Sequence, residues 1–207
     1  MTATAPVIAC LRHRIGSDGE GVTTLVALHG CPLKCHWCIN RHVLGPEIKT
    51  TRMTPQELYE EVRIDNLYFC ATNGGITFGG GEPLLYPDFI EQFRQVCPEE
   101  WRITLETSLA VPVENVLKIA ECVDLFIIDC KDTDPGIYHS YTSGDNAIML
   151  DNLKTLLNIV PSEKIIVRLP LIPDFNTEEN RKNSRDLLEK MGVTRFNEFT
   201  YTTENLT

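Results

Sequence analysis

The sequence of 207 residues carries 19 Lys and Arg against 29 Asp and Glu, a formal net charge of −10 at pH 7. Proteins that grip a nucleic-acid backbone present basic surfaces, so this acidic balance argues against nucleic-acid binding. No apolar stretch of about 18 residues occurs, so we expect no membrane-spanning helix. The first residues lack the basic start and apolar stretch of a secretory signal, which predicts a cytoplasmic protein. The length suits a single domain over residues 1–207.

Six short apolar runs rich in β-branched and aromatic residues predict β-strands. They lie at 25–28, 76–78, 102–105, 125–128, 164–169 and 196–199. Helix patterns separate them. The first helix begins after Thr54, a capping residue with Pro55 at the first helical position and Glu57 three residues after the cap. The others are predicted at 86–96, 113–122, 147–159 and 177–191.

This alternation predicts an α/β fold with a parallel sheet, because crossover helices join parallel strands. A complete eight-unit barrel typically needs about 250 residues, which is more than this chain offers. We therefore predict a partial (β/α)6 open barrel, a parallel sheet with outer helices.

Three of the eight cysteines, Cys31, Cys35 and Cys38, fall within one short loop, where they can converge on one small metal body. Three thiolates would leave one iron of a four-iron cluster open to a further ligand. A structural zinc site is the alternative, with its fourth ligand from His29, His36 or His42. We expect the scattered cysteines to be small core residues: Cys10, Cys70, Cys97, Cys122 and Cys130.

Three consecutive glycines follow the second predicted strand, in Gly79-Gly80-Gly81-Glu82. Glycine weakens strands, so close approach of the backbone to a ligand explains this run better than strand preference does. A plain turn remains the alternative.

Polar side chains also mark the later strands, at the ends where barrel enzymes place functional groups. Glu106 and Thr107 follow the third strand, Asp129 and Lys131 follow the fourth, and Arg168 lies in the fifth. A carboxylate at a buried barrel mouth is costly unless it is paired, which favours a binding site. Solvation of the strand ends, helix capping or a salt bridge of Arg168 would explain the same residues.

The cysteine loop, with Trp37 directly before its last cysteine, resembles that of the radical S-adenosylmethionine (SAM) superfamily. The glycine run resembles the glycine-glycine-glutamate motif of that family. The turn at 18–21 and Asn40 resemble features of the glycyl-radical enzyme activating enzymes of the pyruvate formate-lyase type, with Glu20 in place of a usual proline. The resemblance runs from Ile15 to Thr202, and only Cys70 lies between the two motifs, which implies no ferredoxin-like insert.

The resemblance implies a 4Fe-4S cluster on Cys31, Cys35 and Cys38, with SAM on the open iron. It implies that SAM contacts Trp37, Cys38, Ile39, Gly80, Gly81, Glu82, Asp129, Lys131, Arg168 and Thr202. It also implies a monovalent cation near Glu106, Thr107, Asp129 and the Ile127 carbonyl. Glu106 stands where aspartate is usual, and Thr202 stands where a histidine is usual.

The activity implied by the resemblance is reductive cleavage of SAM to a 5′-deoxyadenosyl radical, followed by hydrogen abstraction from a backbone glycine of a partner glycyl-radical enzyme. Reduced flavodoxin or ferredoxin would supply the electron, and the protein would be a monomer. Two alternatives stay open: a radical SAM enzyme that modifies a small molecule or peptide, and a zinc-stabilised binding module.

Overall fold

The computed structural model describes residues 1–202. Within them, eight strands form one sheet in the order β3-β1-β2-β4-β5-β6-β7-β8. The strands are β1 Ala5–Ile15, β2 Val22–Leu28, β3 Thr51–Met53, β4 Gly75–Gly80, β5 Arg102–Thr107, β6 Leu125–Asp129, β7 Ile165–Leu171 and β8 Phe196–Thr200. From β2 to β8 all neighbouring strands are parallel, whereas β1 runs antiparallel to both β2 and β3. The sheet ends at β3 and β8, so it is an open barrel.

Seven α-helices accompany the sheet in the described part of the chain. They are α1 Pro55–Val62, α2 Asn66–Thr72, α3 Pro87–Val96, α4 Val113–Ile119, α5 Pro135–Thr142, α6 Asn146–Ile159 and α7 Glu178–Met191. Local sequence fixes their ends. Thr54 and Glu57 form a reciprocal capping box at α1, and Gly192 ends α7 in the left-handed conformation. None of these helices is long and apolar enough to cross a membrane.

All six predicted strands are confirmed as the parallel strands β2 and β4 to β8. The antiparallel pair β1 and β3 was not predicted, and neither were the short helices α2 and α5. Helix α5 carries a start signal that could have identified it, since Asp134 caps its first turn and Pro135 occupies its first position.

The alternation of side chains along each strand separates the core from the functional face. Apolar residues on one face pack with the helices into one core, among them Ile76, Phe78, Ile103, Leu105, Phe126, Ile128, Val167 and Leu169. The alternate residues, which include Glu106, Asp129 and Arg168, therefore face the interior of the open barrel.

The turn between β1 and β2 closes the floor of this interior. Glu20 pairs with Arg102 at 2.7 Å and with Arg195 at 3.1 Å, and thereby links the start of β5 to the residue preceding β8. The carbonyl oxygen of Asp18 accepts a hydrogen bond from the Thr77 hydroxyl inside the barrel. Glu20, the residue that departs from the resembling motif, thus joins two strands across the open barrel.

Candidate active site

A cavity of about 460 Å³ lies at the carboxyl ends of the parallel strands. Its wall contains every residue that the sequence predicted for the cluster and for SAM: Cys31, Cys35, Trp37, Cys38, Ile39, Gly80, Gly81, Glu82, Asp129, Lys131, Arg168 and Thr202. Glu106 and Thr107 line it as well. The structure therefore brings these groups to one place, while the role of each remains a prediction. Ile127, whose carbonyl was predicted to bind the cation, is not among the lining residues.

The cysteine loop is held in place by helix α5. The amide of Lys34 donates to the carbonyl of Thr142 at 2.8 Å, and the amide of His36 donates to that of Tyr141 at 2.9 Å. The last carbonyls of a helix have no partner within it, so the loop satisfies them. Gly144, just beyond the helix, allows close contact, because a Cβ atom there would lie 2.5 Å from Leu33 Cδ2.

The three thiols are close enough to influence one another. Burial, together with negative charge on Glu82, Cys35 and Cys38, raises the pKa of Cys31 to about 12. Burial also raises the pKa of Cys35, which the cationic Lys131 opposes. Positively charged metal would therefore be needed to hold Cys31 and Cys35 as thiolates at neutral pH.

The three cysteines have the donor set of a 4Fe-4S cluster, and they line one cavity wall. Within residues 1–202, no three His, Cys, Asp or Glu side chains converge closely enough to hold one ion. In a 4Fe-4S cluster the cysteines bind different irons, so they need only surround a larger body. The histidines proposed for zinc are placed elsewhere: His29 Nε2 lies 3.0 Å from the Gly45 carbonyl, and none of the three, His29, His36 or His42, lines the cavity.

The glycine run packs against the backbone that leads into the cysteine loop. Gly80 adopts φ +85°, and a Cβ atom at Gly81 would lie 2.1 Å from the Gly30 carbonyl oxygen. The amides of Gly81 and Glu82 donate to the carbonyls of Leu28 and Gly30 at 2.9 and 2.7 Å. Close approach to the chain itself therefore requires glycine here, which the sequence attributed to approach to a ligand.

Asn40 joins the two loops, because its side-chain amide donates to the Gly80 carbonyl at 2.8 Å. The glycine run is thus fixed to the cysteine loop on one side and to β2 on the other. A small displacement of either loop would move both.

Glu82 is buried and fully engaged with the protein. Its carboxylate accepts hydrogen bonds from the hydroxyls of Thr107 and Ser108, both at 2.6 Å, and from the Ser108 amide at 2.9 Å. Burial raises the pKa of Glu82, and these donors oppose that effect. The side chain therefore connects the segment after β4 to the end of β5.

Two cations and two carboxylates alternate along the opposite wall. Lys131 Nζ lies 3.2 Å from Asp129 and donates to the Tyr201 hydroxyl at 2.8 Å. Arg168 lies 2.6 Å from Glu106 and 3.8 Å from Asp129. Burial raises the pKa of Glu106, and the charge of Arg168 opposes this.

The contacts of Arg168 involve the carboxylates that were predicted to bind a monovalent cation. The guanidinium of Arg168 contacts both Glu106 and Asp129, and the Thr107 hydroxyl is directed to Glu82. The positive charge that these carboxylates require is therefore already supplied by the chain.

The chain is similar in sequence to proteins of a known superfamily. Residues 25–187 match the radical SAM superfamily. The chain belongs to this superfamily. It is 30% identical to the (2S)-3-sulfopropanediol dehydratase activating enzyme of Klebsiella oxytoca, over 78% of this chain and 69% of that protein. It is also 30% identical to the indoleacetate decarboxylase activating enzyme of Tractidigestivibacter scatoligenes, over 79% of this chain and 54% of that protein.

The fold is shared with solved radical SAM structures. Streptococcus suis SuiB bound to S-adenosylmethionine superimposes with a TM-score of 0.66 at 16% identity, over 86% of this chain and 40% of that one. Membership of the radical SAM superfamily implies an iron-sulfur cluster and SAM, and the three cavity-lining cysteines fit that donor set. Both of these relatives are named as activating enzymes.

Tyr141 and Phe199 line the cavity wall without having been predicted from the sequence. Tyr141 lies on the unpredicted helix α5, so the start signal at Asp134 and Pro135 would have been the way to find it. Phe199 lies in the predicted strand β8, near its carboxyl end.

Proposed function

We propose that this protein activates a glycyl-radical enzyme by removing a hydrogen atom from a backbone glycine of that partner. The observation that supports it most is the single cavity that unites three cysteines, the glycine run and the Lys131–Asp129 and Arg168–Glu106 pairs. The resemblance to named activating enzymes adds support, although the chain spans only 69% and 54% of two of them.

In this proposal Cys31, Cys35 and Cys38 hold the cluster and leave one iron for the amino and carboxylate groups of SAM. When bound and reduced, the cluster would supply the one electron that splits SAM into methionine and a 5′-deoxyadenosyl radical. The backbone of Gly80 and Gly81 binds the methionine end of SAM. The hydrogen atom passes from the glycine Cα to the 5′ carbon, so no protein acid or base is needed for that step.

The remaining wall residues orient and enclose SAM. Lys131 and Arg168 offer positive charge to its carboxylate, and Asp129 holds both cations in position. Trp37, Ile39 and Thr202 line the cavity beside them and restrict water at the reacting atoms. Their roles follow from placement in the wall and from the resemblance of the motifs.

The direct test uses reduced, reconstituted protein with SAM and a candidate glycyl-radical enzyme. The proposal predicts 5′-deoxyadenosine together with a glycyl-radical doublet in the electron paramagnetic resonance (EPR) spectrum. Deoxyadenosine without a doublet rejects that partner. If the deoxyadenosyl radical instead abstracts deuterium from a labelled small molecule or peptide, labelled deoxyadenosine would reveal this. The activating function would then be wrong.

The cation prediction has its own test. If Arg168 supplies the charge near Glu106 and Asp129, the dissociation constant of SAM should change less than about twofold when sodium and potassium are replaced by choline. Arg168→Ala should weaken SAM binding about tenfold, in line with the loss of one charge-assisted contact. Recovery of the Arg168→Ala variant by potassium would show that a cation can occupy the vacated place. A strong potassium dependence of the unaltered protein would instead favour the predicted cation.

We also propose that the electron donor is reduced flavodoxin or ferredoxin, and that it docks on the segment 31–53. This segment carries four exposed cations against one carboxylate, Glu47, for a net charge of +3 in a chain of −10. The cations are Lys34, Arg41, Lys49 and Arg52. Within residues 1–202, none of the four forms an ion pair. An acidic donor would be steered to this basic face beside the cysteines.

The charge reversal Lys49→Glu with Arg52→Glu tests this docking surface. The second-order rate of cluster reduction by flavodoxin at low salt should fall at least about tenfold, because electrostatic steering acts on the association rate. Reduction by dithionite should be unchanged. Lys182→Glu with Lys190→Glu, two exposed lysines on α7, is the matched control and should retain the donor-driven rate. Equal losses in both double variants would reject the docking surface.

A further inference from the structure

Three buried polar atoms in residues 1–202 have no hydrogen-bond partner: Trp37 Nε1 and the hydroxyls of Tyr138 and Tyr141. Trp37 belongs to the cysteine loop, and both tyrosines lie on helix α5, whose last carbonyls bind that loop. A buried donor left unsatisfied is costly, so proteins rarely tolerate it without a reason. Two such hydroxyls on the helix that holds the cysteine loop indicate an acceptor-rich group beside them.

The two tyrosines share one neighbour, the segment of the cysteine loop at Cys35. Tyr138 and Tyr141 lie one turn apart on α5, with exposed fractions of 0% and 2%. The carbonyl of Tyr141 holds the amide of His36, the residue after Cys35. Tyr138 does not line the cavity, so it lies behind the wall that contains Tyr141 and Cys35.

Both hydroxyls remain donors at neutral pH. Burial raises the pKa of Tyr138 and Tyr141. Negative charge on Cys35 raises the pKa of Tyr138 further, and Tyr201 and Cys35 both raise that of Tyr141. Thiolates and the inorganic sulfides of an iron-sulfur cluster accept hydrogen bonds and donate none. The chemistry of such a cluster therefore matches what these hydroxyls lack.

We infer that Tyr138 and Tyr141 are positioning residues that donate hydrogen bonds to the sulfur atoms of the cluster at Cys35 and raise its reduction potential. Hydrogen bonds to cluster sulfurs stabilise the more negative, reduced form, and they are one of the means by which proteins set the potential. The inference rests on the cluster of the proposed function and not on the identity of the substrate.

Tyr138→Phe and Tyr141→Phe remove the hydroxyls and keep the rings. At a fixed solution potential we expect the ratio of reduced to oxidised cluster to fall several-fold in each variant. In the double variant we expect about tenfold, which equals about 59 mV for a one-electron couple. The measurement is an EPR-monitored redox titration without SAM. Tyr68→Phe, at a half-exposed tyrosine on α2, is the control and should leave the potential unchanged.

Two further measurements separate a role of the hydroxyls at the cluster from a role in folding or in SAM binding. The melting temperature of the apoprotein should be equal or higher in Tyr138→Phe, because a buried unsatisfied group has been removed. In Tyr138→Phe, whose ring does not line the cavity, the SAM dissociation constant should stay within about twofold of that of the unaltered protein.

An unchanged potential in both variants, with four irons present, would overturn the inference. So would a loss of SAM affinity without a shift in potential, because the hydroxyls would then serve SAM. A failure of the unaltered protein to assemble any iron-sulfur cluster would instead refute the proposed function.

Discussion

Cys35→Ala should abolish the production of 5′-deoxyadenosine and the glycyl radical while the protein still folds. Cys35 is one of three ligands, and its thiol lies in the cavity wall outside the apolar core. Two cysteines cannot hold a cluster that keeps one iron for SAM, so the electron has no route to the cofactor. The amide contacts of Lys34 and His36 with α5 use the backbone and would persist. The assays are deoxyadenosine quantification and the EPR doublet, with circular dichroism as the test of folding.

Cys97→Ala is the matched control, because this cysteine is buried in the core at the end of α3, away from the cavity. It should retain a full complement of iron and cleave SAM at the unaltered rate, with a modest loss of stability of about 1 kcal/mol. Activity in Cys35→Ala would contradict the assignment of the cluster ligands. Loss of the cluster in Cys97→Ala would show that this cysteine is more than a core residue. Among the other scattered cysteines, Cys130 is buried as expected, whereas Cys70 is exposed, so the expectation of a core residue was wrong there.

Gly81→Ala should reduce kcat/KM for SAM cleavage by about 100-fold, because the new Cβ atom has no room. It would lie 2.1 Å from the Gly30 carbonyl oxygen and 2.8 Å from that of Leu28, and neither backbone atom can turn aside as a side chain would. The glycine run must therefore move away from β2, at a cost of about 1–3 kcal/mol. Because Asn40 joins this run to the cysteine loop, the displacement reaches both halves of the site.

Gly45→Ala is the control for this variant, since a Cβ atom at Gly45 meets no atom within 4 Å. It should retain SAM affinity and melting temperature. If Gly81→Ala bound and cleaved SAM as the unaltered protein does, the close contact between the glycine run and β2 would not be what positions the site.

The parallel part of the fold and the composition of the site follow from local sequence signals. Apolar runs between capped helices gave β2 and β4 to β8, and functional groups at strand ends gave Glu106, Asp129 and Lys131. These signals work because parallel strands place their carboxyl ends at one edge, so that side chains distant in sequence meet there.

Pairing across the chain could not be predicted from the same signals. The antiparallel strands β1 and β3 are defined by long-range hydrogen bonds, and β3 has only three residues. Arg168 and Glu106 form an ion pair although they lie 62 residues apart in sequence, and only the folded sheet brings them together. The reason for Gly81 likewise lies in its contact with Gly30, which no local pattern contains.

Glu20 shows how a departure from a motif can be explained by structure. Its position in the turn at 18–21 resembled a motif that usually has proline, which suggested a weaker match. In the fold, the Glu20 side chain pairs with both Arg102 and Arg195, and the turn closes the floor of the open barrel. The substitution thus has a structural reason at the end of the barrel opposite the cavity.

The central claim is that Cys31, Cys35 and Cys38 hold a four-iron cluster whose open iron binds SAM. Anaerobic purification and reconstitution, followed by iron analysis and EPR of the reduced protein with and without SAM, test it most directly. We predict about four irons per chain, a reduced-cluster signal, and a change in that signal when SAM is added. A colourless protein that contains zinc, or a cluster signal that SAM leaves unaltered, would contradict the claim.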